Sequence, residues 1–362
     1  MMKKKILLVT SEFPPLPGGI GNHAYLLSKY LHQNSFEVTV LCDVREVIQD
    51  AQFDRQQQFK IQRTPRNKFT YFKRIWSTYK LAQKNDRILC SGKFSLWTGA
   101  IIGLVVPHQK STAVLHGSEL KAGGVISRYM TKWSLSQFDH LIAVSEFTKQ
   151  FALNVNPALK IEVINNGIEL KNDNSPKLQT DHSNTLSLVT VGNLTFRKGQ
   201  QNGIKALPLL KKYFPNVHYH CVGIPTEKEK FSILAKELGV LENITFHGIL
   251  SDAERNTVIQ ESTIFVMLSQ IIKNDFEGFG IALLEANALG IPAVGSRNSG
   301  IADAIKDGYS GKLVDQENPI EILEALQDIT TNYDQYAQQA INWSHQFDWN
   351  QVIKKYIKIL QS

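Results

Sequence analysis

Short apolar runs separated by helix-like stretches dominate this sequence, and the whole pattern occurs twice. The first set of runs lies at residues 5–10, 38–42, 87–90, 112–115, 141–144 and 161–164. The second set lies at residues 186–191, 217–222, 244–246, 264–268 and 293–295. Strands that alternate with helices in this way form parallel sheets covered by helices. The sequence therefore predicts an α/β protein with two doubly wound, Rossmann-like domains.

A polar segment at residues 171–185 separates the two sets of runs and has the composition of a linker. We therefore predict an N-terminal domain at 1–170 and a C-terminal domain at 186–345. Residues 346–362 place apolar side chains at helical spacing, which predicts a terminal helix that is a candidate for packing back on the N-terminal domain. Ligands of doubly wound sheets bind beyond the carboxyl ends of the strands, so we expect the substrate in a cleft between the domains.

The formal net charge of +7 is unevenly distributed along the 362 residues. Residues 1–170 contain 22 Lys and Arg against 12 Asp and Glu, whereas the remainder contains 18 against 21. A basic first half indicates an anionic partner. Nucleic acid, a phosphorylated substrate and a membrane surface all satisfy this condition.

Cysteine use and hydropathy indicate the cellular compartment. Cys42, Cys90 and Cys221 lie far apart in strand-like runs, so we expect reduced core thiols rather than a metal or redox site. The apolar run near the N-terminus is too short for a signal peptide. No run approaches the roughly 18 apolar residues that span a bilayer. We therefore expect a cytoplasmic protein.

Two loops that follow predicted strands have the residues of a phosphate site. The first contains Gly18 and Gly19 directly before a helix, but it lacks the G-x-G-x-x-G dinucleotide fingerprint and also fits an ordinary structural turn. The second contains Arg197 and Lys198 after the run 186–191. Adjacent cations in such a loop suit a diphosphate, because Arg can bind two oxygens while Lys supplies a compact charge. A solvated surface pair is the alternative.

The segment from Glu277 to Glu285 is the strongest single signal. A helix is expected to begin near Phe279, so that the N–H groups of Gly280 and Ile281 face a phosphate. The two acids would lie about 12 Å apart if the spacer were wholly helical. Hydrolytic acid and base carboxyls of glycosidases are closer than this, so two contacts on one elongated ligand fit better.

These features occur with other short motifs in an order that resembles one family. The matching segments are residues 18–19, 116–119, 144–146, 163–168, 191–199, 246–248, 277–285 and 290–292. The set resembles the retaining GT-B glycosyltransferases of family four, also called glycosyl transferases group 1, over nearly the whole chain. The resemblance implies transfer of a hexose-type sugar from a nucleotide diphosphate sugar to a glycan, lipid-linked or small-molecule acceptor, in cell-surface polysaccharide or glycolipid synthesis.

The resemblance also implies roles for individual residues. Arg197 and Lys198 would bind the donor diphosphate and neutralise the leaving group. Glu277 would lie against the transferred sugar, with His116 beside it, and the stretch 247–250 would lie near the base. Glu285 would hold the ribose hydroxyl groups. The catalytic set is therefore Arg197, Lys198, Glu277 and His116. The donor-binding set is Gly18, Gly19, Gly248, Ile249, Gly280, Ile281 and Glu285.

Two segments depart from the family pattern. Residues 299–303 read Ser-Gly-Ile-Ala-Asp where relatives often have Gly-Gly-x-Pro-Glu, and we assign them no role. The spacer 269–276 is longer than usual and is expected to reshape the sugar pocket.

We expect no cofactor and no metal, because no Asp-x-Asp motif lies near the proposed donor site and two cations can replace a divalent ion. A nucleotide-sugar epimerase with the GT-B fold and a non-catalytic nucleotide-sugar-binding protein are the alternatives. A nucleic-acid partner is not expected, because no familiar recognition motif occurs.

Residues 66–87 combine basic and aromatic side chains. Phe72, Trp76 and Tyr79 fall on one helical face with basic residues beside them, a pattern that predicts contact with an anionic membrane surface. An ordinary helix with its aromatic residues in the core is an equal alternative. If this segment contacts the membrane, we expect the protein at the inner face of the plasma membrane.

Overall fold

The computed structural model describes residues 3–16, 18–106, 109–121, 124–170 and 185–362. They form two compact units. The first comprises Met1–Gly167 together with Trp349–Ser362, and the second comprises Ile168–Asp348. The predicted linker at 171–185 lies outside the described residues except for its last position.

The first unit contains a parallel sheet that has seven strands among the described residues. Its strands are β1 (Lys5–Thr10), β2 (Glu37–Asp43), β3 (Lys60–Thr64), β4 (Arg87–Ser91), β5 (Lys110–Leu115), β6 (His140–Ala143) and β7 (Ile161–Val163). Their order is β3-β2-β1-β4-β5-β6-β7, so the chain winds outward from β1 in both directions. The strands β1 and β4 at the centre are almost fully buried, as strands covered on both faces must be.

Helices connect these strands and cover the sheet. They are α1 (Gly19–Gln33), α2 (Val47–Arg55), α3 (Thr70–Ala82), α4 (Lys93–Val105), α5 (Val125–Leu135) and α6 (Glu146–Val155). The last helix of the chain, α13 (Trp349–Gln361), also belongs to this unit and packs on α1. Trp349 is fully buried and stacks on Tyr30 with ring centroids 5.6 Å apart.

The second unit repeats the design with a parallel sheet that has six strands in the part of the chain described. Its strands are β8 (Ser187–Val191), β9 (His218–Val222), β10 (Ile244–Gly248), β11 (Ile264–Met267), β12 (Ala293–Ser296) and β13 (Gly311–Val314), in the order β10-β9-β8-β11-β12-β13. Its helices are α7 (Gln200–Tyr213), α8 (Lys228–Glu237), α9 (Asp252–Gln260), α10 (Ile281–Ala288), α11 (Pro319–Thr331) and α12 (Tyr333–Ser344).

The predicted pair of doubly wound, Rossmann-like sheets is confirmed. Two strands were not predicted, β3 and β13, and each forms an edge of its sheet. Strand β3 alternates half-buried and exposed residues over much of its length, because an edge strand needs no continuous apolar run. The predicted core thiols are correct: Cys42, Cys90 and Cys221 are buried and unpaired. None of the helices in the described ranges is both long and apolar enough to cross a bilayer.

Candidate active site

The candidate donor-site segments of the second unit follow four strands of its sheet. Arg197 and Lys198 follow β8, Gly248 ends β10, the segment that contains Glu277 follows β11, and Gly300 follows β12. All strands of this sheet are parallel, so these loops emerge at the same edge. Topology alone therefore gathers segments that are up to about a hundred positions apart in the sequence, at the edge where such sheets bind ligands.

The loop after β8 is held in place by the loop after β11. Gly199 adopts a left-handed φ of +81°, and a Cβ there would overlap the carbonyl oxygen of Leu268. The Gln270 N–H donates to the carbonyl oxygen of Arg197 at 2.9 Å, and the Asn202 side chain donates to that of Leu268 at 3.1 Å. The backbone that carries the two cations is therefore held against the loop after β11.

Both cations contact the same carboxylate oxygen. Arg197 Nη1 lies 2.5 Å from Glu277 Oε2, and Lys198 Nζ lies 2.8 Å from it. Only 14% of the Glu277 side chain is exposed, so these charges are screened little by water. Glu277 thus marks a point on which a guanidinium and an ammonium group converge.

The environment of Glu277 decides its charge. Burial would raise the pKa of this carboxyl group, but the nearby charges of Lys198 and Arg197 and their hydrogen bonds outweigh burial and hold the pKa at about 2. Glu277 is therefore ionised at any physiological pH. It can accept hydrogen bonds from sugar hydroxyl groups but cannot act as a general acid.

The helix after Glu277 begins later than the sequence suggested. Its first residue is Ile281, and Gly280 is the N-cap in a left-handed conformation. The segment 277–280 is therefore not helical, so the estimate of about 12 Å between the two acids, which assumed a wholly helical spacer, does not apply. The first N–H groups of α10 still create a favourable place for an anion at the helix start.

Gly300 supports the backbone of Glu277, a role that sequence reasoning missed. Its N–H donates to the carbonyl oxygen of Glu277 at 2.9 Å, and a Cβ at this position would overlap the carbonyl oxygen of Gly278. Ser299 caps the short helical turn that follows, with its hydroxyl 3.3 Å from the Ile301 N–H. The segment 299–303, which departs from the family pattern, therefore positions the first glutamate.

The long spacer before Glu277 forms a tight turn that brings in a second acid. Ile272 and Asp275 exchange two backbone hydrogen bonds of 2.9 and 2.8 Å, and both residues between them have positive φ, as in a two-residue hairpin turn. Asp275 Oδ1 lies 3.8 Å from Arg197 Nε. Two acids, Asp275 and Glu277, thus offset the two cations.

The second predicted acid, Glu285, lies on α10 and is 30% exposed. Its Oε2 is 3.9 Å from Nη2 of Arg255. Nη1 of Arg255 lies 3.0 Å from Oδ1 of Asp252, and both of these residues belong to α9. Glu285 is thus a separate anionic point from the cluster around Glu277. This fits its predicted contact with another part of the ligand.

At the other side of the same edge, β10 ends at Gly248, and the following Ile249 is largely exposed. His247 precedes them, and its Nε2 lies 3.0 Å from Nδ1 of His220 on β9. Burial lowers the pKa of both imidazoles, that of His220 to about 4, with neighbouring histidines adding to the effect there. The exposed apolar side chain of Ile249 and the neutral imidazoles beside it could pack against a planar nucleotide base.

The remaining predicted residues lie in the first unit. His116 directly follows β5, and its Nε2 is 3.0 Å from the Ser91 hydroxyl at the end of β4. The buried Glu119 accepts hydrogen bonds from the N–H groups of His116 and Gly117 at 3.0 and 2.9 Å. Burial lowers the pKa of His116 to about 4 and raises that of Glu119 to about 7, against the effect of these hydrogen bonds. His116 is thus a neutral, fixed hydrogen-bonding group.

Gly18 and Gly19 begin α1 at the same edge of this sheet as His116, because β1 and β5 are parallel strands. Both glycines are exposed, and a Cβ on Gly19 would meet no atom within 4 Å. The protein itself therefore does not require glycine at position 19, whereas a closely approaching ligand would. Among the side chains that the structure describes, no cluster of three or more His, Cys, Asp or Glu residues is arranged to hold a metal ion.

Comparison with known proteins identifies the family. The family model for glycosyl transferases group 1 matches residues 172–345, and that for glycosyltransferase family 4 matches residues 17–172. The chain is 25% identical over 360 residues to a GDP-mannose-dependent alpha-(1-6)-phosphatidylinositol monomannoside mannosyltransferase of Mycolicibacterium smegmatis, covering 94% of this chain and 93% of the relative. It is 26% identical over 220 residues to a putative colanic acid biosynthesis glycosyltransferase of Salmonella typhimurium, covering 60% of this chain and 54% of that protein.

Solved structures agree on the fold. The Anabaena protein HepE, crystallised with UDP and glucose, superposes with a TM-score of 0.80 at 18% identity, covering 99% of this chain and 100% of that one. A lipopolysaccharide outer core galactosyltransferase in its apo form superposes with a TM-score of 0.77, also at 18% identity, covering 98% and 99% of the two chains. The two matched family models together with the two parallel sheets assign this chain to the family-four glycosyltransferases, the glycosyl transferases group 1, with the GT-B fold.

Proposed function

We propose that this glycosyltransferase moves a hexose from a nucleotide diphosphate sugar to a lipid-linked or glycan acceptor, with retention of the anomeric configuration and without a metal ion. The observation that carries this proposal is the convergence of Arg197 and Lys198 on one oxygen atom of Glu277. Phosphate oxygens accept the same hydrogen bonds as a carboxylate oxygen, so a diphosphate can engage both cations there.

The names of the relatives support a nucleotide diphosphate hexose as the donor. The mycobacterial relative is a GDP-mannose-dependent mannosyltransferase, and the Anabaena structure contains UDP and glucose. The donor-site geometry of this chain fits that class: cations for the diphosphate, Glu277 for sugar hydroxyls, Glu285 for the ribose, and the Gly248–Ile249 segment for the base. In the first unit, His116, Gly18 and Gly19 are assigned to the donor sugar and phosphate on the family resemblance.

In the proposed reaction, the acceptor oxygen bonds to the anomeric carbon on the face from which the diphosphate leaves. The bond from the anomeric carbon to the phosphate oxygen breaks, and its electron pair stays on that oxygen. The same oxygen takes the proton of the acceptor hydroxyl group. Arg197 and Lys198 stabilise the charge that develops on the leaving group, which can be the largest single contribution to catalysis.

These two cations also carry the proposal of metal independence. They supply two positive charges from a backbone that Gly199 and Asn202 hold against the loop after β11. A divalent ion supplies the same charge in enzymes that coordinate one with carboxylates. We expect full donor turnover in excess EDTA. Loss of activity that magnesium restores would reject this part of the proposal.

Lipid-linked and glycan acceptors are favoured because the relatives act on a phosphatidylinositol mannoside or function in colanic acid synthesis. The direct experiment incubates the purified chain with GDP-mannose, UDP-glucose and other nucleotide sugars, with and without lipid extracts, and measures nucleoside diphosphate release and the anomeric configuration of the product. Acceptor-dependent release of diphosphate with a retained configuration is expected. An inverted product would contradict the proposed stereochemistry.

Two other functions use the same site and are separated by the same assay. A nucleotide-sugar epimerase would convert the donor without an acceptor. A non-catalytic binding protein would be stabilised by nucleotide sugars, as mass action requires, yet would release no diphosphate.

A further inference from the structure

Large apolar side chains that face solvent are concentrated at the N-terminal ends of α3, α4 and α5. Phe72 of α3 is 74% exposed, and Val125 and Ile126 of α5 are 86% and 81% exposed. The other members of this group are Phe69, Phe94 and Tyr129, and Trp76 lies one turn beyond Phe72 on α3. Scattered exposed apolar residues are ordinary on a folded protein, whereas a concentration of large ones marks an interaction site.

The three helices are neighbours, so these side chains belong to one region. The Tyr71 ring of α3 meets the Phe94 ring of α4 edge to face at 5.4 Å. The indole N–H of Trp97 on α4 donates to the Thr131 hydroxyl of α5 at 3.3 Å. Each helix follows a strand of one parallel sheet, so all three N-terminal ends lie at the carboxyl edge of that sheet.

The same part of the chain has an extreme charge balance. Residues 55–138 contain 15 Lys and Arg but only two acids, Asp86 and Glu119. Glu119 is buried, and Asp86 directly precedes β4, at the opposite edge of the sheet. The exposed cations of α3 and α5 and of the turn before α3 are Arg66, Lys68, Lys73, Lys80, Arg128 and Lys132.

We propose that the N-terminal turns of α3, α4 and α5 form a surface that binds an anionic membrane. Cations attract the headgroups, while aromatic and aliphatic side chains enter the interface between headgroups and acyl chains. In the first turns of α4, Lys93 Nζ lies 5.5 Å from the centre of the Trp97 ring, so charge and apolar surface are already combined. Val125 and Ile126 favour lipid over nucleic acid, because aliphatic side chains offer no surface on which bases stack.

The position of this surface gives it a function. It lies at the carboxyl edge of the first sheet, the edge at which His116 and Gly19 are found. A lipid-anchored acceptor held in the bound membrane would therefore reach the protein at the edge that carries predicted site residues. This consequence rests on the proposed transferase function, whereas membrane binding itself does not.

Vesicle flotation of the full chain at low salt tests the proposal. We expect flotation with vesicles of equal parts phosphatidylglycerol and phosphatidylcholine, and none with phosphatidylcholine alone. Phe72→Ser combined with Ile126→Ser should weaken binding by about tenfold or more, and so should Lys73→Gln combined with Arg128→Gln. The matched controls, Ile233→Ser with Ile320→Ser and Lys211→Gln with Lys212→Gln, change exposed residues of the second unit and should bind normally.

Three outcomes would overturn the proposal: no flotation with anionic vesicles, binding that ignores the apolar substitutions, or binding that a soluble RNA competes away completely. All substituted side chains are exposed, so unchanged circular dichroism and melting temperature are expected and exclude misfolding as the cause. Donor turnover is measured separately, with the acceptor supplied as detergent-dispersed lipid extract instead of vesicles. Flotation without turnover would refute only the transferase proposal, and turnover without flotation would refute only the membrane surface.

Discussion

The backbone N–H of Gly300 donates a hydrogen bond of 2.9 Å to the carbonyl oxygen of Glu277. This contact joins the loop after β12 to the segment after β11 and sets the position of the acid on which Arg197 and Lys198 converge. We expect Gly300→Ala to displace that segment, because the added Cβ would overlap the carbonyl oxygen of Gly278. A fall in kcat/KM of about tenfold to 100-fold is expected from a misplaced catalytic group.

The matched control for this change is Gly308→Ala. Gly308 has a positive φ of 68°, but a Cβ there would meet no atom within 4 Å. This variant should lose some stability through backbone strain while it keeps its activity. Equal activity of the Gly300 and Gly308 variants would contradict the supporting role of Gly300.

Removal of either cation should slow the reaction more than it weakens donor binding. Arg197→Ala and Lys198→Ala each remove charge that matters most as the diphosphate leaves, so we expect kcat to fall by about two to three orders of magnitude. The control is Lys211→Ala, which removes an exposed cation from the end of α7 and should leave kcat unchanged. Steady-state kinetics at saturating acceptor measure this effect. A normal kcat in either variant would contradict the role of that cation in stabilising the leaving group.

Asp275 is expected to compete with the donor. Its carboxylate lies 3.8 Å from Arg197 Nε, and both side chains are partly exposed. Asp275→Asn should therefore lower the donor KM by about two- to threefold, the size expected for a partly exposed ion pair that water screens. Glu237→Gln, an exposed change on α8, is the control. A raised KM in Asp275→Asn would show instead that this acid helps to hold the donor.

Glu285 should contribute to binding of the nucleotide rather than to the chemical step. Glu285→Gln keeps the shape of the side chain but removes a charged acceptor for ribose hydroxyl groups. We expect the donor KM to rise roughly 10- to 100-fold with little change in kcat, as for the loss of hydrogen bonds to a charged group. The outcome that contradicts the ribose assignment is an unchanged KM for every nucleotide sugar that the enzyme accepts.

The histidine pair on β9 and β10 should make the second unit sensitive to acid. The folded pKa of His220 is about 4, below the ordinary value near 6.5, chiefly because of burial. The unfolded chain therefore binds protons first, so stability should fall as pH decreases from about 6.5 to about 4. Urea unfolding at several pH values should show a smaller loss for His220→Gln. An identical pH dependence would exclude this pair as the source.

Much of the fold follows from local sequence patterns. Alternating apolar runs and helix-like stretches predicted both parallel sheets, and the periodic residues of the C-terminal segment predicted α13. The edge strands β3 and β13 were missed because a strand with one unpaired side tolerates a mixed or short pattern. The start of α10 was predicted slightly early, because a glycine N-cap leaves no distinctive polar signal.

The candidate site was likewise predicted from the sequence only in part. Residue type and order along the chain alone singled out Arg197, Lys198, Glu277 and Glu285, since adjacent cations after a strand and acids around a helix start are local patterns. Only the tertiary structure decided that both cations meet one oxygen of Glu277, that Gly300 supports the Glu277 backbone and that Asp275 also contacts Arg197. Likewise, the basic and aromatic residues of 66–87 were visible in the sequence, but their exposure and the packing of α3 against α4 were not. Such contacts join residues from different strand ends, and parallel packing of the strands, not sequence proximity, brings them together.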